Sequence, residues 1–80
     1  MTTPPPSYRI TTIPGDGVGP DVTASAVRTL EAAGAALGFG FAWTEILVGG
    51  IAIDTYGVAI RDEDLAKAKD SDAVLLGAVG

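Results

Sequence analysis

The residues best placed to do chemistry in this sequence are those of Ile13-Pro14-Gly15-Asp16-Gly17-Val18-Gly19-Pro20-Asp21-Val22. Three glycines fall within five positions, between an extended apolar run and a helical pattern. Glycine costs folding entropy, so such a cluster implies a backbone at positive φ or the close approach of a partner. A strand, a glycine turn and a helix start in that order form the arrangement in which many α/β proteins meet an anionic ligand. Asp16 adds a carboxylate that could serve a metal or an acid role. The competing reading is a turn aspartate bonding neighbouring N–H groups, which is the commoner use of that residue.

Two well-known phosphate signatures do not fit. Gly15 and Gly17 satisfy the first two positions of G-x-G-x-x-G, but the third falls on Pro20, with Gly19 one residue early. The G-x-x-x-x-G-K-[S/T] loop fails because no lysine follows the turn. As pattern alone, the stretch is either a ligand-contacting loop or a structural tight turn, the usual role of glycine clusters. Elsewhere Asp54 reads as a cap or turn residue rather than a ligand. Phe39, Phe41 and Trp43 read as core, with a partner surface as the lesser option.

Composition narrows the classes. With no Cys and no His, zinc sites, disulfides, thiol nucleophiles and His-based triads are excluded from these 80 residues. The net charge of −5 argues against non-specific nucleic-acid binding, which needs a basic footprint. No run approaches the ~18 apolar residues of a membrane span, and the start lacks the basic and apolar regions of a signal peptide. Absence of Cys agrees with a cytoplasmic setting. Hydrophobic residues make up 48%, high for a free-standing domain of this size and favouring a fragment whose apolar faces are covered by further chain.

The elements that position the turn follow from periodicity. Residues 1–7, with three consecutive prolines, read as a flexible tail before an α/β segment at 8–80 that reads as the first part of a larger domain. Tyr8 to Ile13 is rich in β-branched residues and reads as a strand that Pro14 ends. From Pro20 to Leu37 the pattern is helical, with Val22, Ala26, Leu30, Ala33 and Leu37 as its apolar stripe and Gly38 closing it. Pro20 suits a first helical turn, and Asp21 complements the helix dipole there. Phe39 to Leu47 reads as a second strand with the aromatics on one face. Ile51 to Gly57 is a short helix or an ordered loop. Asp62 is the expected N-cap of a helix over about Glu63 to Lys69, supported by a Glu63–Lys67 pair and hiding Leu65, Ala66 and Ala68. Ala73 to Gly80 is apolar without alternation and reads as a parallel strand buried on both faces. The fold class is therefore α/β, an open, largely parallel sheet with crossover helices.

With these residues in place, the stretch from Ile13 to Val22 resembles the Pro-Gly-Asp-Gly-Ile/Val-Gly-Pro-Glu opening of the isocitrate/isopropylmalate dehydrogenase family, with Asp21 standing for the commoner Glu. Gly49-Gly50-Ile51-Ala52-Ile53-Asp54 with Gly57 resembles the Gly-Gly-x-Ala-Ile-Asp-x-x-Gly segment of its isopropylmalate branch. Asp72 to Gly80 is similar to that branch's Asp-Ala-Val-Leu-Leu-Gly-Ala/Ser-Val-Gly strand. Arg61 stands where the family commonly has Pro, a loop position that puts no function in doubt.

The resemblance implies a sheet of that family's type rather than a standard Rossmann fold. It implies oxidation and decarboxylation of 3-isopropylmalate with NAD and Mg2+ or Mn2+ in leucine biosynthesis, by a cytoplasmic homodimer. Related β-decarboxylating dehydrogenases, acting on homoisocitrate, isocitrate, tartrate or malate, are the alternatives. A small non-catalytic α/β binding module is the other class. Catalytic side chains and metal ligands are expected beyond Gly80, so none is assigned here. Cofactor contact is implied at Val18, on the adenine side, and at Val79 and Gly80, where the nicotinamide-side segment begins.

Overall fold

The computed structural model describes residues 6–78. The chain runs β1 (Ser7–Gly15), α1 (Gly19–Leu37), β2 (Gly40–Glu45), α2 (Gly50–Tyr56), α3 (Asp62–Asp70) and β3 (Ala73–Ala78). The three strands form one parallel sheet in the order β2-β1-β3, so β1 is central and the path from β2 to β3 crosses it. This is the open parallel α/β arrangement expected from the alternation of elements.

β1 does not stop at Pro14. Pairing with β2 ends at Thr12–Glu45, and the register with β3 passes from Ile13–Leu76 to Gly15–Ala78. Proline thus sits where the β2 ladder is over and the β3 ladder skips it, which lets the strand run on without the missing N–H. Tyr8 to Ile13 gains Ser7 at one end, where Gly40 N–H also donates to Pro6 O at 2.9 Å. β2 is shorter than expected, and Phe39, Ile46 and Leu47 fall outside it. Ile46 still donates its N–H to Thr12 O at 2.9 Å.

Alternation along β1 divides the sheet into two faces. Thr11 Oγ1 donates to Lys67 O of α3 at 3.4 Å, whereas Thr12 shares a groove with Thr23 of α1. The helices therefore lie on opposite faces. On the α1 side Tyr8, Phe39, Phe41 and Trp43 form a chain of ring contacts, with centroids 5.0–6.4 Å apart. Edge-to-face and tilted geometries of this kind add to the burial of the rings. Trp43 Nε1 donates to Glu31 Oε1 of α1 at 2.6 Å, tying the aromatic row to the helix.

The apolar stripe expected for α1 is not its buried face. Gly19, Thr23 and Gly34 are buried, while Val22, Leu30 and Leu37 are exposed. The contact face is rotated by about one residue, roughly 100° on a helix of 3.6 residues per turn. The cause is proximity: the helix lies so close to the sheet that only small residues fit between them, and bulk turns aside. Gly38 closes α1 in the left-handed conformation at φ 85°, as expected, with its N–H on Gly34 O at 2.8 Å.

Four further expectations change. Asp62 is not the N-cap of α3; Arg61 holds that position with extended backbone and no side-chain cap, and Asp62 begins the helix. α3 buries Asp64 rather than Leu65 and Ala66, because Asp64 meets its counter-ions on the inner side. β3 is not covered on both faces: Val74 and Leu76 share the α3 side with Ile13 and are exposed, since α3 packs over β1 and leaves this edge strand open. Asp54 is exposed within α2 rather than at a cap. Gly57 ends α2 at φ 81°.

The turn between β1 and α1 has a conformational demand of its own. Gly17 stands at φ 57°, and a Cβ there would meet nothing within 4 Å. Gly17→Val is therefore expected to cost about 1 kcal/mol or more through backbone strain alone. Thermal melting of the apo protein checks this; a change below a few tenths of that size removes the argument.

Candidate functional site

The site grows from the carboxyl end of the central strand. Gly15 leaves β1 at φ 77° and Gly17 follows at φ 57°, so the backbone folds back within three residues. Gly19 N–H donates to Asp16 O at 2.8 Å, and Val22 N–H to Val18 O at 3.0 Å, which starts α1. Val18 is the N-cap position and lends no side-chain hydrogen bond. Its apolar side chain stands out from the tip of the turn, 67% exposed.

The turn is joined to the end of β3. Asp16 N–H donates to Ala78 O at 2.9 Å, although the two residues are far apart in the chain. Two separate segments thus converge at the carboxyl edge of the sheet, where ligands of open α/β folds bind. Of the expected cofactor-side residues, Val18 lies at this edge. Val79 and Gly80 lie outside the described residues, directly after Ala78. Asp16 takes part in the turn through its backbone N–H and C=O.

A groove of about 470 Å³ runs beside the turn on the α1 face, lined by Thr12, Pro14, Thr23, Val27, Trp43 and Glu45 among others. Thr23 Oγ1 is buried with no hydrogen-bond partner among the described residues.

The strongest electrostatic cluster lies elsewhere, at the corner between α2 and α3. Asp64 is almost wholly buried and accepts from Arg61 Nε at 2.9 Å and Nη2 at 3.2 Å, with Lys67 Nζ at 3.5 Å. Arg61 also reaches Glu63 at 3.2 Å and lies 3.8 Å over the Tyr56 ring. The Arg61 hydrogen bond holds the Asp64 carboxyl below the ordinary carboxylate range, against the opposing effect of burial. The same bond raises Arg61. Forked, fully paired geometry of this kind is scaffold chemistry. Sequence reading passed over Arg61 as a loop residue. The signal was its three-residue spacing from Asp64, which a helix start turns into contact.

Among the described residues no group of three or more Asp, Glu, His or Cys could hold a metal ion. The described residues alone do not fit a divalent cation. What the edge does offer is an exposed apolar side chain on a glycine-bent turn, hydrogen-bonded to the end of β3.

The family model for isocitrate/isopropylmalate dehydrogenases matches residues 9–80. The chain belongs to the isocitrate/isopropylmalate dehydrogenase family. It is 54% identical over 74 residues to the 3-isopropylmalate dehydrogenase of Pichia angusta, and 52% over 73 residues to that of Moorella thermoacetica. These matches take in 92% and 91% of this chain and 20% of each relative. A relative from Brassica napus, described as chloroplastic, is 49% identical. Among solved structures, a β-decarboxylating dehydrogenase from Thermococcus kodakarensis in its apo form superposes with a TM-score of 0.76 at 40% identity, over 91% of this chain and 21% of that one. An isocitrate dehydrogenase from Methylococcus capsulatus gives 0.80 at 29% identity, over 91% and 20%. The chain therefore spans about one fifth of the length of the relatives it matches. Within this family stretch, the glycine turn and the end of β3 at Ala78 meet at the sheet edge, while the Gly49–Gly57 segment forms α2 and its flanks.

Proposed function

We propose that these residues serve as the amino-terminal part of an NAD-dependent dehydrogenase that oxidises and decarboxylates 3-isopropylmalate in leucine biosynthesis. The likeness to 3-isopropylmalate dehydrogenases over nine-tenths of the chain carries this reading. In this proposal the subunit has the relatives' length, pairs as a homodimer, works in the cytoplasm and takes Mg2+ or Mn2+ on ligands outside the described residues. No helix among the described residues is long and apolar enough to cross a membrane.

NAD, when bound, supplies the acceptor for hydride from the hydroxyacid carbon. The residues of this chain bind and orient. Val18 offers an apolar contact to the adenine, and the Asp16–Ala78 hydrogen bond holds the turn against the strand that leads to Val79 and Gly80. The full-length enzyme should reduce NAD with 3-isopropylmalate and not with isocitrate, homoisocitrate, tartrate or malate. Turnover confined to one of those acids moves the substrate; no turnover with any of them sinks the enzyme reading.

Val18→Ala tests the contact. Losing two methyl groups, at about 0.8 kcal/mol per buried CH₂ with the remaining exposure discounted, weakens NAD by about 1 kcal/mol, several-fold in the dissociation constant. The constant for 3-isopropylmalate should stay nearly unchanged. An unmoved NAD constant, with a lowered melting temperature, makes Val18 scaffold.

A further inference from the structure

We propose that Gly77 is a positioning residue for cofactor binding, a role that rests on the NAD reading above. Gly77 does not have positive φ, so its backbone asks for no glycine. Its surroundings do. A Cβ there would run into Thr23 Oγ1, lie 2.5 Å from Pro14 O and 3.1 Å from Gly19 O. These three atoms belong to the second turn of α1, to β1 and to the start of α1, so one methyl group on β3 would press on all of them.

The contact is reciprocal. A Cβ on Gly19, also without positive φ, would overlap Pro14 O and lie 2.8 Å from Ala78 O. Gly19 and Gly77 together let the first turns of α1 rest directly on β3. That seating brings Asp16 N–H onto Ala78 O, and so holds Val18 and the end of β3 in one frame. Thr23 closes the contact from the helix side, buried and with its hydroxyl unpartnered among the described residues. The glycines of this site thus divide by task. Gly17 permits the shape of the turn, and Gly77 permits its place. Backbone contacts cannot swing away as side chains do, so a wedge at Gly77 displaces the turn as a body.

The test uses the full-length enzyme. Gly77→Ala should raise the dissociation constant of NAD, measured by titration calorimetry, by about ten-fold or more, the scale set by ångström misplacement of a binding group. The constant for 3-isopropylmalate should stay within about two-fold, and the Asp16 amide should exchange faster with solvent, as expected when its local structure opens. Gly40→Ala is the matched control: a strand glycine without positive φ, whose added Cβ meets nothing within 4 Å, and it should leave all three readings unchanged. Unchanged NAD affinity in Gly77→Ala, or an equal loss for both ligands, overturns the proposal. If that variant does not fold, Thr23→Val decides. It sets a bulkier methyl against Gly77 and breaks no hydrogen bond that the described residues make. A rise in the NAD constant alone supports the role, and an unmoved constant overturns it. Failure of the underlying reading looks different: the wild-type enzyme itself then shows no NAD binding in the same calorimeter.

Discussion

Replacing Arg61 by alanine is expected to lower the melting temperature by several degrees at neutral pH and to flatten its dependence on acid. Asp64 is almost wholly buried, and two of its three close charge contacts come from Arg61. Removing the guanidinium leaves a buried carboxylate with only Lys67 Nζ at 3.5 Å, and an under-paired buried charge costs more than the pair contributed. The ring contact with Tyr56 and the ion pair to Glu63 go with it. Because Arg61 holds the folded-state carboxyl below its ordinary range, its contribution is complete above the unfolded carboxylate pKa. It is lost as pH falls from that range through the lowered folded value. The wild-type protein should therefore lose stability on acidification more steeply than Arg61→Ala, and the two melting curves should converge at low pH. Parallel curves, or a variant that melts with the wild type at pH 7, would falsify the ion-pair account. Asp64→Asn with Arg61 kept should behave similarly, since the amide cannot satisfy both guanidinium bonds as an acceptor pair.

The exposed Arg9–Asp70 pair makes a useful contrast. Its bond is as short, 2.9 Å, but both side chains are largely in water. Solvent screening and side-chain entropy leave such pairs near zero in net stability. Distance alone does not rank the two; burial does.

How much of this was legible in the sequence depends on the kind of interaction. The order of elements, the parallel sheet, the left-handed Gly38 and Gly57, and the strand–turn–helix at Gly15 to Gly19 follow from local rules: periodicity, glycine placement and helix-end chemistry. The place of Val18 in the turn follows from the same rules, whereas its cofactor contact rests on the family resemblance alone. The helix faces were not legible. Reading α1 by hydrophobicity selects Val22, Leu30 and Leu37, yet Gly19, Thr23 and Gly34 are the buried set. A stripe of bulk marks the packed face only when the helix stands off from its partner by a side-chain layer. Here Gly77 and Gly19 bring the backbones together, and small size marks the face instead. α3 fails the rule for a second reason. Its buried residue is a charge, paired by Lys67 within the helix but chiefly by Arg61, which lies outside it. Pro14 shows a third limit: whether proline ends a strand depends on what lies beside it, and neither neighbour asks for its N–H.

Ile46→Ala is expected to be among the most destabilising truncations in the chain, at about 3 kcal/mol. Ile46 is 2% exposed and the largest apolar side chain so fully buried. It sits just past β2, where its N–H reaches Thr12 O of the central strand at 2.9 Å. That bond fixes the backbone and so limits how far the surroundings can collapse into the space left by the side chain. Incomplete collapse places the cost above simple transfer, because the lining atoms lose their dispersion contacts as well. Ile46→Val, which removes one methyl group, should cost about 1 kcal/mol. Urea unfolding of both variants measures the two steps, with the slope m checked for constancy so that a midpoint shift reports stability. The ligand readings separate this from the turn chemistry. Ile46 follows β2 on the far side of β1 from β3, away from the Asp16–Ala78 contact, so NAD affinity of the folded variant should match the wild type. An alanine variant that loses less than about 1 kcal/mol would mean that the site closes over the gap, and that this corner is not the rigid part of the core.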